Sequence, residues 1–102
     1  MPELSCTVRR VGDYESRTEE YELSYAVGDA KPRGLRIKYQ AARAYEINSA
    51  LDAVVETARG AISEAAPNLE EPTDEALSQF TWRAIQAAKY EEGEARTSHL
   101  DL

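Results

Sequence analysis

Cys6 and His99 are the chain's one cysteine and one histidine, and together they could form a nucleophile and a general base. Such a pair works only when the base lies within hydrogen-bond reach of the nucleophile. Cys6 falls on the inward side of a predicted strand, whereas His99 falls in a C-terminal segment without periodicity. We therefore expect Cys6 to be a small buried hydrophobe and His99 to be solvated, and we predict no catalytic residue and no enzymatic activity.

The sequence also has few residues that could bind a metal ion or a cofactor. A structural zinc site needs several Cys, His or carboxylate ligands at converging spacing, and one cysteine with one histidine falls short of that set. The five glycines are isolated from one another, so the sequence has no Gly-rich loop that could cradle a phosphate. We predict neither a metal site nor a cofactor.

Carboxylates are the most abundant chemistry-bearing groups: 19 Asp and Glu stand against 12 Lys and Arg, for a net charge of −7. At this density close carboxylate pairs arise by chance and do not indicate a general acid and base. A row of carboxylates can, however, attract and hold a basic partner. The candidate partner-binding carboxylates of the predicted helical surface are Glu46, Asp52, Glu56, Glu64, Glu70, Glu71, Asp74 and Glu75. The alternative is that these charges only keep a small domain soluble.

A basic strip interrupts the acidic sequence, because residues 31 to 43 hold five bases and no acid. Its members are Lys31, Arg33, Arg36, Lys38 and Arg43. With Tyr39 or Tyr45 as a stacking platform, this strip could bind single-stranded nucleic acid. The net negative charge disfavours such contact with phosphates, and it disfavours anionic membrane surfaces for the same reason.

Internal charge pairing is the explanation of the basic strip that we favour. If the second of three strands is central, Glu20 and Glu22 on its solvent face lie opposite Arg9 on one neighbour and opposite Arg36 and Lys38 on the other. Opposite charges placed across two strands stabilise the sheet by roughly 0.2 to 1 kcal/mol each.

Three strands must position these groups. Apolar and polar residues alternate over Leu4 to Val11 and over Glu20 to Val27, and they alternate again over residues 35 to 40 after a loop with Gly and Pro. The connections are too short for parallel crossovers, so we predict an antiparallel meander.

Two helices follow the strands. Apolar residues recur at helical spacing over residues 41 to 66, with weak points at Ser49 and Gly60 where the helix could break. Thr73 is a good N-cap for a second helix, which we predict over residues 74 to 92.

The second helix is apolar on two sectors. The stripe expected to face the sheet consists of Leu77, Phe80, Ala84 and Ala87. Trp82 and Ile85 lie on a different sector, and a helix that is apolar on two sides is buried on two sides. We therefore add Trp82 and Ile85 to the candidate partner-binding residues, with a second copy of the chain as one possible partner.

Together these elements predict an α+β fold, a three-stranded antiparallel meander followed by two helices packed on one face of the sheet. Residues 1 to 93 would form a single compact domain with a thin core, and residues 94 to 102 would be a frayed tail. The core is thin because the chain has only 8 Leu, 4 Ile, 5 Val and 1 Phe, to which 6 Tyr and 1 Trp add volume.

A lone cysteine is typical of a reducing compartment, and the N-terminus carries an acid where a secretory signal would carry bases. No apolar run is long enough to cross a membrane. We expect a cytoplasmic protein that does not contact membranes.

The composition favours a noncatalytic interaction module whose acidic helical surface engages a basic protein. Small phage or mobile-element antagonists of the nucleic-acid-mimic type, such as anti-CRISPR and anti-restriction inhibitors, share this profile in composition. Two alternatives are a structural or assembly subunit that oligomerises through the second helix, and nucleic-acid binding through the basic third strand.

Overall fold

Four strands and two helices make up the computed structural model, which describes residues 2–12, 17–91 and 93–102. The elements are β1 (Glu3–Val11), β2 (Thr18–Val27), β3 (Arg33–Gln40), α1 (Ala44–Ala65), α2 (Asp74–Ala88) and β4 (Arg96–Asp101). The strands form one antiparallel sheet in the order β3-β2-β1-β4. The fold is α+β with the predicted meander of β1, β2 and β3, and it has a fourth strand in addition.

Strand β4 corrects the expectation of a frayed tail over residues 94 to 102. It pairs antiparallel with β1, and Leu4 lies opposite Leu100. The sequence gives no sign of this strand because Leu100 is its one large apolar residue on the inward face. Backbone hydrogen bonds to β1 hold an edge strand of this kind, and side-chain patterning does not report them.

The inward face of the sheet follows the predicted alternation. On β2 every second residue is buried, and Tyr21, Leu23 and Tyr25 are at most 2% exposed. Helix α1 packs on β3 and β2, while α2 packs on β1 and β4. The opposite face of the sheet carries polar and charged side chains such as Thr7 and Glu22.

Both helices are continuous. Helix α1 passes through Ser49 and Gly60 without a break, and the hydroxyl of Thr73 caps α2 by accepting a hydrogen bond from the Ala76 amide at 3.1 Å. Helix α2 ends at Ala88, earlier than predicted, and Glu92 lies outside the described residues. Neither described helix combines the length and the apolar character that a membrane span requires.

Gly60 lies where the flexible side chain of Arg33 approaches α1. A Cβ atom at this position would lie 2.6 Å from Nη1 of Arg33, whose side chain crosses α1 at this point. Beyond Gly60 the guanidinium reaches Glu64, with Nε donating to Oε2 at 3.0 Å. Glycine costs about 1 kcal/mol against alanine in a helix. At this position, the space beside Gly60 is occupied by the arginine that links β3 to the last turn of α1.

A buried hydroxyl pair joins α2 to the centre of the sheet. The Tyr25 hydroxyl and Thr81 Oγ1 lie 2.7 Å apart, and both residues are fully buried. Burial also raises the pKa of the Tyr25 hydroxyl, so it stays protonated and can donate. Each hydroxyl is therefore a hydrogen-bond partner of the other inside the core.

This pair should behave as a unit in a double-mutant cycle. We expect Tyr25→Phe and Thr81→Val each to lower the free energy of unfolding by about 1–3 kcal/mol, because each leaves a buried hydroxyl without its partner. The double variant should cost less than the sum of the two single variants, by about 0.5–3 kcal/mol. Urea unfolding measures all three, and Tyr90→Phe at the exposed Tyr90 is the control. Strictly additive costs would contradict the pairing.

Candidate functional site

A cleft on the acidic helical surface lies between the exposed side of α1 and the N-terminus of α2. Asp52 and Glu56 lie one helical turn apart on α1, and both are exposed. The cleft has a volume of about 480 Å³, and its lining consists of Asp52, Ala53, Val55, Glu56, Arg59, Asp74 and Ser78. Three carboxylates and one guanidinium therefore share this concave surface.

Arg59 organises the α2 side of the cleft. Its Nε donates to Asp74 Oδ1 at 2.7 Å, its Nη1 donates to Glu71 Oε2 at 2.9 Å, and its Nη2 donates to the carbonyl of Pro72 at 2.9 Å. The hydrogen bond with Asp74 is the main reason that the pKa of Arg59 lies above its ordinary range. The hydrogen bond that Ser63 donates to Glu71, followed by the one from Arg59, holds the pKa of Glu71 below its ordinary value.

The remaining predicted carboxylates divide into paired and unpaired groups. Glu64 is bound by Arg33 of β3, and Glu46 is bound by Arg43 with Nη1 and Oε2 3.1 Å apart. Together with Glu71 and Asp74, these carboxylates are neutralised by the chain's own arginines. Within residues 2–12, 17–91 and 93–102, the carboxylates without an ion pair in the predicted set are Asp52, Glu56, Glu70 and Glu75. Of these, Asp52 and Glu56 line the cleft.

The apolar part of the predicted site lies elsewhere. Ile85 is fully buried in the core, and this corrects its assignment to a partner-binding stripe. Trp82 is half-buried, with its ring 6.2 Å from that of Tyr39. The inward side of α2 includes Thr81 and Ile85, whereas Ala87 of the predicted inward stripe is exposed. The predicted inward side of α2 is therefore rotated about the helix axis relative to the observed one. Sequence patterning treats threonine as polar, and the burial of Thr81 depends on the hydrogen bond of its hydroxyl with Tyr25.

Three members of the basic strip, Arg33, Arg36 and Arg43, are neutralised within the fold, and of these the Arg36 pair was predicted from the sequence. Arg9 Nη2 donates to Glu22 Oε2 at 2.6 Å, Arg36 binds Oε1 of the same carboxylate, and Arg36 Nη1 lies 3.6 Å from Glu20 Oε2. Lys38 lies opposite Glu20 in the strand register. A shallow hollow of about 510 Å³ on this face of the sheet is lined by the same paired charges, by two leucines and by smaller residues. The ion pairs occupy its charged groups.

In the described part of the chain, few side chains of the basic strip are both exposed and free of an ion pair, as nucleic-acid binding would require. Lys31 and Lys38 are exposed, and within the described residues neither makes an ion pair. Tyr39 is 2% exposed and cannot stack on a base, whereas Tyr45 is 65% exposed. Two lysines and one tyrosine are a weak base for the nucleic-acid alternative.

Cys6 and His99 do not form a pair. Cys6 is fully buried on the inward face of β1, and burial raises the pKa of its thiol to about 11, which keeps it in the unreactive protonated form. His99 lies on β4 rather than in a loose tail, and its Nδ1 is 2.6 Å from Oε1 of Glu3. Nowhere in the described chain do three His, Cys, Asp or Glu side chains converge as metal ligands.

A buried polar cluster at the end of α2 was not foreseen from the sequence. Glu19 is 5% exposed, accepts a hydrogen bond from the Tyr21 hydroxyl at 2.6 Å, and has its Oε2 3.9 Å from Lys89 Nζ. Arg10, also buried, donates from Nη1 to the carbonyl of Lys89 at 3.0 Å. The position of Glu19, two residues before Tyr21 and in phase with it, was the available signal. These contacts fix the C-terminal end of α2 to the sheet.

The Glu22 ion pairs make a testable contribution to acid stability. Hydrogen bonds first from Arg36 and then from Arg9 hold the pKa of Glu22 below its ordinary value of 4.5. A lowered pKa in the folded state stabilises the fold above the unfolded-state value, and this contribution is lost as the pH falls through the folded-state value. We expect Glu22→Gln to lower the melting temperature at about pH 7 and to have a shrinking effect toward about pH 3. A deficit that does not change with pH would contradict this, and Glu94→Gln at an exposed position is the control.

Comparison with known proteins adds no relative: no family model matches this sequence, and neither a curated protein nor a solved structure is detectably similar to it. The function must therefore be inferred from the chain's own side chains, and the acidic cleft between α1 and α2 is a concave site lined by two carboxylates that are unpaired among the described residues, Asp52 and Glu56.

Proposed function

We propose that this chain is a noncatalytic protein-interaction module that engages a basic partner through the cleft between α1 and α2. The observation that carries the proposal is the pair of exposed carboxylates, Asp52 and Glu56, that line the cleft without an ion pair in the described part of the chain. Four other carboxylates of the same surface are bound by arginines. Charge left unpaired in a concave place can be completed by a cation from another molecule.

The dimensions of the cleft suit a lysine or arginine side chain. Its volume of about 480 Å³ leaves room for a long side chain, and the aliphatic stem can lie along Ala53 and Val55 while the charged end reaches Asp52 or Glu56. A guanidinium can bind a carboxylate with two parallel hydrogen bonds. The cleft is also shaped in advance, because Arg59 already holds the linker and the start of α2 in place.

The net charge of −7 supports the same proposal at longer range. A field of one sign steers an oppositely charged partner toward the surface and raises the rate of association, an effect that falls with ionic strength. The narrower form of the proposal is a phage or mobile-element inhibitor that mimics nucleic acid. The arginine pairs shorten the negative surface that such a mimic would present, so the local cleft, more than an extended row of charge, is the part that we propose to bind.

A binding comparison with matched charge changes tests the proposal. The test variant is Asp52→Asn with Glu56→Gln, and the control is Asp29→Asn with Glu94→Gln, which replaces two exposed carboxylates outside the cleft. Each protein is immobilised and exposed to a lysate of the native host at low and at moderate salt, and captured proteins are quantified by mass spectrometry.

We expect wild type and the control to capture the same basic proteins, and the cleft variant to lose them at least fivefold, roughly one kcal/mol of binding free energy or more. Capture by wild type should weaken with added salt. Equal loss in both variants would show a general effect of net charge, and unchanged capture in both would overturn the proposal.

A further inference from the structure

A second groove lies at the opposite side of α2, along strand β4. It has a volume of about 450 Å³, and its lining consists of Ala76, Gln79, Phe80, Arg83, Ser98, His99 and Leu100. Its floor is apolar, because Phe80 and Leu100 pack against the core while remaining partly exposed. Its rim carries the exposed guanidinium of Arg83.

The groove lies beside a free sheet edge. In the sheet order, β4 is the last strand and pairs only with β1, so in the described part of the chain no strand uses the outer edge of β4. The amides and carbonyls that point outward from an edge strand can form a ladder with an added strand. An edge next to a groove under a helix is the arrangement that proteins use to bind extended peptides by strand addition.

The charge of the groove specifies the peptide. Arg83 makes no ion pair or hydrogen bond within the described residues, although the chain has an excess of acids. A cation left unpaired at the rim of an apolar groove favours a ligand that brings a carboxylate with its apolar side chain. Because side chains alternate across a strand, the apolar residue and the carboxylate must both stand on the side of the added strand that faces α2.

We propose that the outer edge of β4 and the groove under α2 bind an extended peptide segment of another protein. The segment adds to the sheet as a fifth strand, places one apolar side chain between Phe80 and Leu100, and places a Glu or Asp side chain two residues away at Arg83. This is a second interaction surface, separate from the acidic cleft and with the opposite preference for charge.

A second copy of the chain fits this groove less well. If a copy added through its own β4 with both helix layers on one side of the sheet, its inward positions would be Arg96, Ser98 and Leu100. That strand brings a further arginine, and no acid, to the side where Arg83 lies. Strand β3, the other edge, likewise has Arg33 and no acid at its inward positions.

The proposal is tested with a synthetic peptide, blocked at both ends, of sequence Ser-Glu-Thr-Leu-Thr-Glu-Ser. Its leucine and both glutamates share one face in an extended chain, and its symmetry allows either direction of binding. The control peptide Ser-Thr-Glu-Leu-Glu-Thr-Ser has the same composition but places the glutamates on the face opposite the leucine. A third peptide is the first one with methyl groups on the amide nitrogens of Leu and of the preceding Thr, which prevents strand addition.

Titrations followed by nuclear magnetic resonance should show shifts of β4 and α2 resonances with the first peptide. We expect binding at least fivefold weaker with the control peptide and none with the methylated one. Arg83→Gln should weaken the first peptide about fivefold, as expected for one exposed ion pair, while Lys31→Gln should leave it unchanged. Both substitutions are at exposed positions, and the spectra of the free variants report whether they fold.

Absence of shifts at millimolar peptide would overturn the proposal, as would equal binding of the methylated peptide. Sedimentation of the free protein tests the alternative that a second copy of the chain occupies the edge. A dimer that is abolished by a β4 edge substitution such as Thr97→Pro would assign the edge to a second copy and overturn the proposal. The cleft variant Asp52→Asn with Glu56→Gln should bind the peptide like wild type, so failure of this proposal and failure of the acidic-cleft proposal are distinguishable.

Discussion

Tyrosine hydroxyls buried between the sheet and the helices set the main constraint on this structure. With few large aliphatic residues, the chain fills its core with Tyr21, Tyr25 and Tyr39, all at most 2% exposed, and the rings of Tyr21 and Tyr39 stack 6.0 Å apart. A buried hydroxyl needs a hydrogen-bond partner close by, since no water compensates for its absence. For two of the three rings the need is met, by Thr81 on α2 for Tyr25 and by a buried carboxylate, Glu19, for Tyr21, whereas the Tyr39 hydroxyl is buried without a hydrogen-bond partner among the described residues. The same polar contacts that satisfy the rings thereby fix where α2 lies on the sheet.

The charges of the chain are sorted by face once that core is formed. On the open face of the sheet, Arg9, Glu22 and Arg36 lie in one row across neighbouring strands and neutralise one another. On the helical side, arginines hold the ends and the linker of the helices, but Asp52 and Glu56 stay outside these pairs. Within the described residues, two of the unpaired acids therefore line the cleft between α1 and α2, and one of the unpaired cations, Arg83, lines the groove beside β4.

Periodicity predicted most of the fold, because a long run of inward apolar residues has no other place to go. It found β1, β2, β3 and both helices, and it placed Glu22 between its arginine partners. It missed β4, which is held by backbone pairing with one large inward apolar residue, and it placed Ile85 on the surface because the hydroxyl of Thr81 concealed which side of α2 faces inward. The cleft itself depends on how Arg59 divides its hydrogen bonds among three distant groups. The spacing of residues along the sequence does not show which groups Arg59 binds. The sequence therefore predicted eight candidate carboxylates but not which of them line the cleft.

The pairing of β4 with β1 joins residues 3–8 to residues 96–101, so it is the strand pairing of longest range in the sheet. The contacts between β1, β2 and β3 are local hairpin contacts, whereas Leu4 and Leu100 meet only when the whole segment between them closes into one loop. Until then β1 is an exposed edge of nine residues with an apolar inner face, a template for pairing between molecules. Mutual repulsion between chains of charge −7 opposes that pairing during the interval. The net negative charge therefore opposes association at an open sheet edge, independently of any surface that the folded chain presents.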